Sequence, residues 1–236
     1  MDKNIENQDR LIVALDVPNV TDAKKIVETL GGAVSFYKIG LELFMSGEYF
    51  ELLDWLKGQE KKIFVDLKFF DVPATVGRAI KQLNGKGVTF ATIHGNDSIM
   101  RAAAENKGDV QVLAVTVLTS LDRGDLDDLG FDCDVDKLVL SRAKRAIELG
   151  CDGVVASGLE APVMRESLGH NFMIVSPGIR PVDNDDDQKR VVTVEKAFEN
   201  GADYIVIGRP IRDANDPKAT AQKIQKQIAM TVNKYL

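Results

Sequence analysis

The sequence predicts a single α/β domain, a (β/α)8 TIM barrel over residues 1–236, on three observations. Short apolar runs alternate with amphipathic stretches along the whole chain. Those runs are continuously hydrophobic instead of alternating, the pattern of a parallel sheet covered by helices. The length, 236 residues, suits a barrel that usually takes about 250. No linker or low-complexity segment divides the chain, and an open, doubly wound sheet is the alternative arrangement.

Each element follows from its own stretch of sequence. Leu11–Asp16 reads as the first strand and leads to a helix over Asp22–Leu30. Val34–Ile39 precedes Glu48–Lys57, and Lys62–Val65 precedes Thr75–Leu83. Val88–Ile93 precedes Ile99–Glu105, and Val110–Val117 precedes Asp136–Leu149. After Gly153–Ala156 a helix starts near Glu160, a residue suited to capping. Phe172–Val175 precedes Thr193–Glu199. Tyr204–Ile207 precedes a last helix from Lys218 to about Lys234, with Ala219, Ile224, Ile228 and Val232 as its apolar stripe. Gly32, Gly87, Gly150 and Gly201 fall between helix and strand, where a left-handed residue closes the helix.

Composition narrows the function. With 44% hydrophobic and 28% charged residues the chain can bury one large core. A net charge of −6 and a pI near 5.1 argue against nucleic acid as the main partner. The polar, mixed-charge start does not read as a signal peptide, and no apolar run approaches the roughly 20 residues of a membrane span. A cytoplasmic location is the expectation. Cys133 and Cys151 form no metal or redox motif and read as free thiols. His94 reads as a packing residue or one that supports the site from behind, rather than a catalytic base, and His170 as a solvated one. The aspartates between Asp122 and Asp136 read as a solvated loop.

The chemistry gathers where strands end. Asp66 and Lys68, two apart on an extended chain, share a face, and Asp71 follows after two aromatics. A lysine between carboxylates at a strand mouth is costly to bury unless paired, and such clusters are often functional. Other strand ends supply Asp16, Lys38, His94, Asn96, Thr119, Ser120 and Ser157, whereas the opposite ends show no comparable set. In barrels of this kind the reacting groups lie at the C-terminal strand ends.

The last two such loops suit a phosphate. Ser-Pro-Gly-Ile-Arg (176–180) and Ile-Gly-Arg-Pro (207–210) each put glycine just after a strand, where bare N–H groups can approach an anion. Arg180 and Arg209 add forked, permanently charged donors.

These motifs carry a family resemblance. Asp66-x-Lys68-x-x-Asp71-x-x-x-Thr75, Val-Leu-Thr-Ser (117–120), Pro-Gly-Ile-Arg-Pro (177–181), Asp187-Gln188 and Ile-Gly-Arg-Pro resemble orotidine 5′-phosphate decarboxylases of the bacterial type. Ala-Leu-Asp (14–16) and Tyr-Lys-Ile-Gly (37–40) match as well. The resemblance implies cofactor-free conversion of orotidine 5′-monophosphate to UMP and CO₂ in pyrimidine synthesis, without a metal. It implies Lys68 as proton donor to C6 and Asp66 facing the departing carboxylate. Lys38 and Asp71 would complete an alternating chain of charges, with Asp71 and Thr75 reaching the site from the second subunit of a homodimer. Asp16 would bind the ribose, and Thr119 and Ser120 the pyrimidine side. Arg180, Gln188, Gly208 and Arg209 would hold the phosphate. Two departures stand out: Pro-Val-Asp-Asn-Asp-Asp-Asp (181–187) lacks an expected glycine, and Thr193-Val194 replaces Thr-Pro. Residues 183–188 read as a lid over the phosphate.

The chemistry asks for the same residue types independently. Loss of CO₂ without an electron sink leaves a carbanion, and a fixed ammonium beside it stabilises the charge and then supplies the proton. Two other readings compete. A Mg²⁺-dependent sugar-phosphate decarboxylase or related barrel enzyme would share the Asp-x-Lys-x-x-Asp motif. A non-catalytic phosphate-binding barrel would use the glycine loops alone.

Overall fold

The computed structural model describes residues 3–180 and 192–235. Eight parallel strands close into a barrel in sequence order, β1 pairing with both β2 and β8. They are β1 (Leu11–Ala14), β2 (Phe36–Gly40), β3 (Lys62–Phe69), β4 (Val88–Ile93), β5 (Gln111–Val115), β6 (Gly153–Val155), β7 (Met173–Ser176) and β8 (Tyr204–Ile207). The barrel reading therefore holds and the open sheet falls.

Helices fill the returns. In chain order they are α1 (Val20–Leu30), α2 (Leu41–Met45), α3 (Tyr49–Gly58), α4 (Pro73–Lys81), α5 (Asp97–Asn106) and α6 (Arg123–Asp128). Then come α7 (Val135–Glu148), α8 (Ala161–Leu168), α9 (Val194–Glu199), α10 (Arg209–Arg212) and α11 (Pro217–Tyr235). Local chemistry sets their starts: Asn19, Asn96 and Thr193 cap α1, α5 and α9 through their side chains, and Pro73 opens α4. Among the described residues no helix is long and apolar enough to cross a membrane.

Several details depart from the sequence reading. Ala221, not Ala219, joins Ile224, Ile228 and Val232 on the buried stripe of α11. Gly31, not Gly32, takes the positive φ (53°) that closes α1. The acidic stretch after β5 is not a plain loop. Asp122 and Asp125 form a capping box for α6, and Arg123 pairs with Asp127, Asp132 and Asp134. Glu160 is buried and does not cap its helix by its side chain; its carboxylate accepts the Ser157 N–H at 2.8 Å.

Two apolar layers hold the barrel. Outward strand residues such as Val13, Ile39, Val65 and Ile205 pack under the helices. Inward residues form a separate cluster, Ile12, Phe36, Phe64, Phe90, Leu113, Met173 and Tyr204 among them, with Ile5 packed against it. Phe90 is its centre, with ring centroids 5.2 Å from Phe36, 5.8 Å from Phe64 and 5.1 Å from Tyr204. Side chains alternate along a strand, so the inward positions two residues beyond Phe36, Phe64 and Phe90 are Lys38, Asp66 and Thr92. The aromatic plug thus becomes the floor of a polar chamber.

The end of the barrel below the plug carries more charge than expected, and its carboxylates are paired. Asp9 binds Lys62 at 2.6 Å, Asp152 binds Lys107 at 2.8 Å, and Asp203 binds Arg165 at 2.7 Å and Lys3 at 2.9 Å. Asp152 and Asp203 also accept N–H groups at the starts of neighbouring strands, from Val112 and Ile174 at 2.8 Å each. These carboxylates fasten strand starts.

Replacing Phe90 by Ala should cost about 3–5 kcal/mol, because a fully buried ring with three aromatic neighbours leaves a cavity that the barrel strands cannot close. Thermal unfolding should show this as a Tm lower by roughly 10 °C. An unchanged Tm would remove the plug from its structural role.

Candidate active site

The chamber above the aromatic floor has a volume of about 480 Å³. Strands β1 to β3 and the turn after β1 supply Asp16, Lys38, Asp66 and Lys68 to one side. The segment after β5 supplies Leu118, Thr119 and Ser120, and the loops after β7 and β8 supply Pro177, Gly178, Arg180, Gly208, Arg209 and Arg212. Val115, Val117, Val155 and Val206 make an apolar wall between the polar groups.

A row of alternating charge crosses the first side. Asp16 Oδ1 accepts from Lys38 Nζ at 2.9 Å, Lys38 Nζ lies 3.4 Å from Asp66 Oδ2, and Asp66 Oδ1 lies 3.0 Å from Lys68 Nζ. The side chains of Lys38 and Asp66 are each 12% exposed, and that of Lys68 is 33% exposed. Burial works against charge on Asp66, but Lys38, Lys68 and the Thr92 hydroxyl outweigh it and hold its carboxyl below the ordinary carboxylate value. Burial likewise works against Lys38, yet Asp66 and Asp16 carry its pKa above the usual lysine value.

Asp66 and Lys68 do not meet by strand alternation alone. Val65 lies opposite Ala91 and Phe69 opposite Ile93, so β3 spends four residues where β4 spends two. Within that bulge Lys68 has φ 47°, a left-handed backbone that costs a lysine about 1–3 kcal/mol. Its N–H is taken by Thr92 Oγ1 at 2.9 Å, and Phe69 O accepts the His94 N–H at 3.1 Å. Hydrogen bonds from β4 and the residue after it therefore hold the bulge in shape.

The side lined by the loops after β7 and β8 offers main chain as well as arginine. Gly178 has φ 75°, a left-handed turn that favours glycine. The stem beyond it is pinned: Arg180 N–H donates to Val192 O at 3.0 Å and Val192 N–H to Gly178 O at 3.3 Å. Arg180 is buried and its guanidinium reaches Ile179 O at 3.1 Å. Arg209 opens α10 beside Gly208.

Asp71 and Thr75 stand apart from the chamber. Asp71 is exposed and accepts the N–H of Val72 at 2.6 Å, and Thr75 accepts from Arg78 at 3.3 Å. Gln188 and the lid segment 183–188 lie outside the described residues. Ser157, Asn96 and His94 also miss the chamber. Ser157 is buried and accepts Leu159 N–H, Asn96 caps α5, and His94 packs edge-on against Phe70 at 5.7 Å. Sequence reasoning missed Thr92 and Arg212. Thr92 has the parity of Phe90, which could have marked it as inward. Arg212, in the short helix α10, donates to the backbone oxygen of Asp16, a contact no local pattern signals.

The model of the orotidine 5′-phosphate decarboxylase / HUMPS family matches residues 9–224. The chain belongs to that family. It is 68% identical to orotidine 5′-phosphate decarboxylase of Methylococcus capsulatus over 96% of this chain and 94% of that protein. The enzyme of the same name from Stenotrophomonas maltophilia is 52% identical, over 95% of each. Among solved structures, the orotidine 5′-phosphate decarboxylase of Lactobacillus acidophilus superposes with a TM-score of 0.83 at 36% identity, covering 93% of this chain and 99% of that one. The family match spans every strand, so the charged row and both glycine loops fall inside it.

The depressed pKa of Asp66 makes a pH prediction with a defined sign. Its ionised form contributes stability that is complete above the unfolded carboxylate value of 3.8 and is lost as pH falls through the lower folded value. An Asn at this position cannot titrate. The difference in Tm between wild type and Asp66→Asn should therefore shift against wild type as pH drops from about 6 to about 3. A difference that stays constant, or moves toward wild type, would contradict the depressed value.

Proposed function

We propose that the chain decarboxylates orotidine 5′-monophosphate to UMP and CO₂, in the pyrimidine pathway of the cytoplasm. The observation that carries this reading is the placing of Lys68 against Asp66 at one end of a chamber whose other end offers Arg180, Arg209 and two glycine turns. A nucleoside monophosphate fills such a chamber with its base at the charged row and its phosphate at the arginines.

The residues divide the work as follows. Arg180, Gly208 and Arg209 hold the phosphate, together with Gln188 from outside the described residues. Asp16 takes the ribose, and Thr119 and Ser120 the pyrimidine edge. The substrate carboxylate sits beside Asp66. As the bond from C6 to CO₂ breaks, its electron pair stays on C6, where the Lys68 ammonium stabilises it before transferring a proton. Grip on the remote phosphate lets binding energy act at this carbon. Both lysines already engage Asp66, at 3.4 and 3.0 Å, which leaves a divalent cation poor access to it and disfavours the Mg²⁺-dependent alternative.

The site is shared between two subunits in this reading. Phe70 and Val72 flank Asp71 and are 69% and 64% exposed, an apolar rim suited to a partner. A two-fold axis at that rim would bring the second subunit's copy of the same loop to each chamber, with its aspartate and threonine beside Lys68.

Release of CO₂ from orotidylate tests the activity. Lys68→Ala should abolish it while UMP still binds, and chelation by EDTA should leave wild type unchanged. A Lys68→Ala protein with substantial turnover would sink the assigned role, and recovery of chelated enzyme by Mg²⁺ would favour the alternative.

Subunit mixing tests the shared site. Lys68→Ala and Asp71→Ala homodimers should each be nearly inactive. In a mixed dimer one site carries both lesions and the other is intact, so random exchange should restore about a quarter of wild-type activity. Verified exchange without recovery would assign Asp71 to its own chain.

A further inference from the structure

Asp66 Oδ1 receives two donors, the Lys68 ammonium at 3.0 Å and the Thr92 hydroxyl at 2.9 Å. Thr92 itself is fully buried on β4. Its oxygen also accepts the Lys68 N–H at 2.9 Å, at the residue whose backbone is left-handed. One hydroxyl therefore touches the side chain of the carboxylate and the main chain of the lysine. A hydroxyl is the smallest side-chain group that donates and accepts at once. Because its oxygen is occupied by an incoming N–H, its own proton is directed toward Asp66.

We propose that Thr92 is a positioning residue for the decarboxylation: it locks Asp66 and the Lys68 bulge in one arrangement, so that the ammonium meets the reacting carbon. This rests on the functional reading given above. Thr92 does not line the chamber. It acts through its neighbours, and its value lies in being neutral. When Lys68 gives its proton to C6 it becomes an amine, and its ion pair with Asp66 ends. The Thr92 bond does not depend on that proton. Asp66 stays anchored by Thr92 on one oxygen and Lys38 on the other while the lysine is recharged. The Lys68 main chain keeps its place for the same reason.

Three variants test the assignment, with sites counted by UMP binding and rates taken per site. Thr92→Val keeps the shape and removes the hydroxyl; Thr92→Ser keeps the hydroxyl and removes a buried methyl. Thr92→Val should lower kcat by about ten- to a hundredfold, the range for losing a hydrogen bond to a charged group, with KM changed by less than about threefold. Thr92→Ser should unfold at lower temperature than wild type yet keep kcat within about threefold. A merely structural threonine predicts the reverse order, with the rate following stability. If Thr92→Val fails to fold, Thr92→Ala against Thr92→Ser isolates the same oxygen, and Ala should be at least about tenfold slower. Equal rates in either pair, beside an active wild type, overturn the Thr92 assignment alone. A wild type that releases no CO₂ from orotidylate overturns the functional reading and this assignment with it.

Discussion

The Asp66 carboxylate, buried between two ammoniums and a hydroxyl, is the constraint around which the rest is arranged. A carboxylate taken out of water is tolerable only when its oxygens are matched, and here the three donors come from three strands. Lys38 comes from β2, Lys68 from β3 itself and Thr92 from β4. The parallel register makes this convergence possible. Gly40 stands beside Asp66 across the β2–β3 pair, and Lys38 lies two residues before it on the same strand. Three adjacent strands thus have to agree in register before the carboxylate can be buried, so the site is also a test of correct barrel assembly.

Both ends of the barrel carry buried charge, and comparing them shows what separates a site from a fastener. Below the aromatic floor, Asp152 and Asp203 spend their oxygens on lysine or arginine and on an N–H at the start of a neighbouring strand. Their partners are cations and backbone of the same chain, held against packed strands. Above the floor the charged row borders a chamber, and Lys68 keeps a third of its side chain exposed to it. Charge count alone does not distinguish the two ends. Nor does exposure, since the Lys62 side chain below the floor is 47% exposed. The difference is that Lys38, Asp66 and Lys68 line a chamber.

Much of the barrel could be read from composition and order, because continuous apolar runs, helix caps and glycine stops are local properties. Asp16, Lys38, Asp66, Lys68, Thr119, Ser120, Arg180, Gly208 and Arg209 line one chamber because strand ends gather at one face in this architecture. What escaped was set by contacts between distant segments. Thr92 looked like one more residue of an apolar strand until its parity with Phe90 placed it over the floor. Arg212 depends on how α10 leans on the turn after β1. The charged strand starts looked unremarkable because Asp9, Asp152 and Asp203 find their cations 53, 45 and 38 positions away.

The bulge at Lys68 explains why the Asp-x-Lys spacing succeeds for a reason other than the obvious one. On an ideal strand two residues of the same face stand about 6.6 Å apart along the strand axis. The lysine would then climb toward the mouth, and its long side chain would extend away from the carboxylate into water. Inserting extra residues into β3 slows that climb: Phe69 pairs with Ile93, at the level where a regular strand would have placed Leu67. The left-handed turn at Lys68 brings its Nζ back to Asp66 Oδ1 with the ammonium still bordering the chamber. Strain of this kind persists only where surrounding bonds over-determine it. Here those bonds are the Thr92 hydroxyl on the Lys68 N–H and the ladder contact from His94 to Phe69 O. The cost is met by β4 and the residue that follows it, which is why a strand without a single charged residue is essential to the charged row.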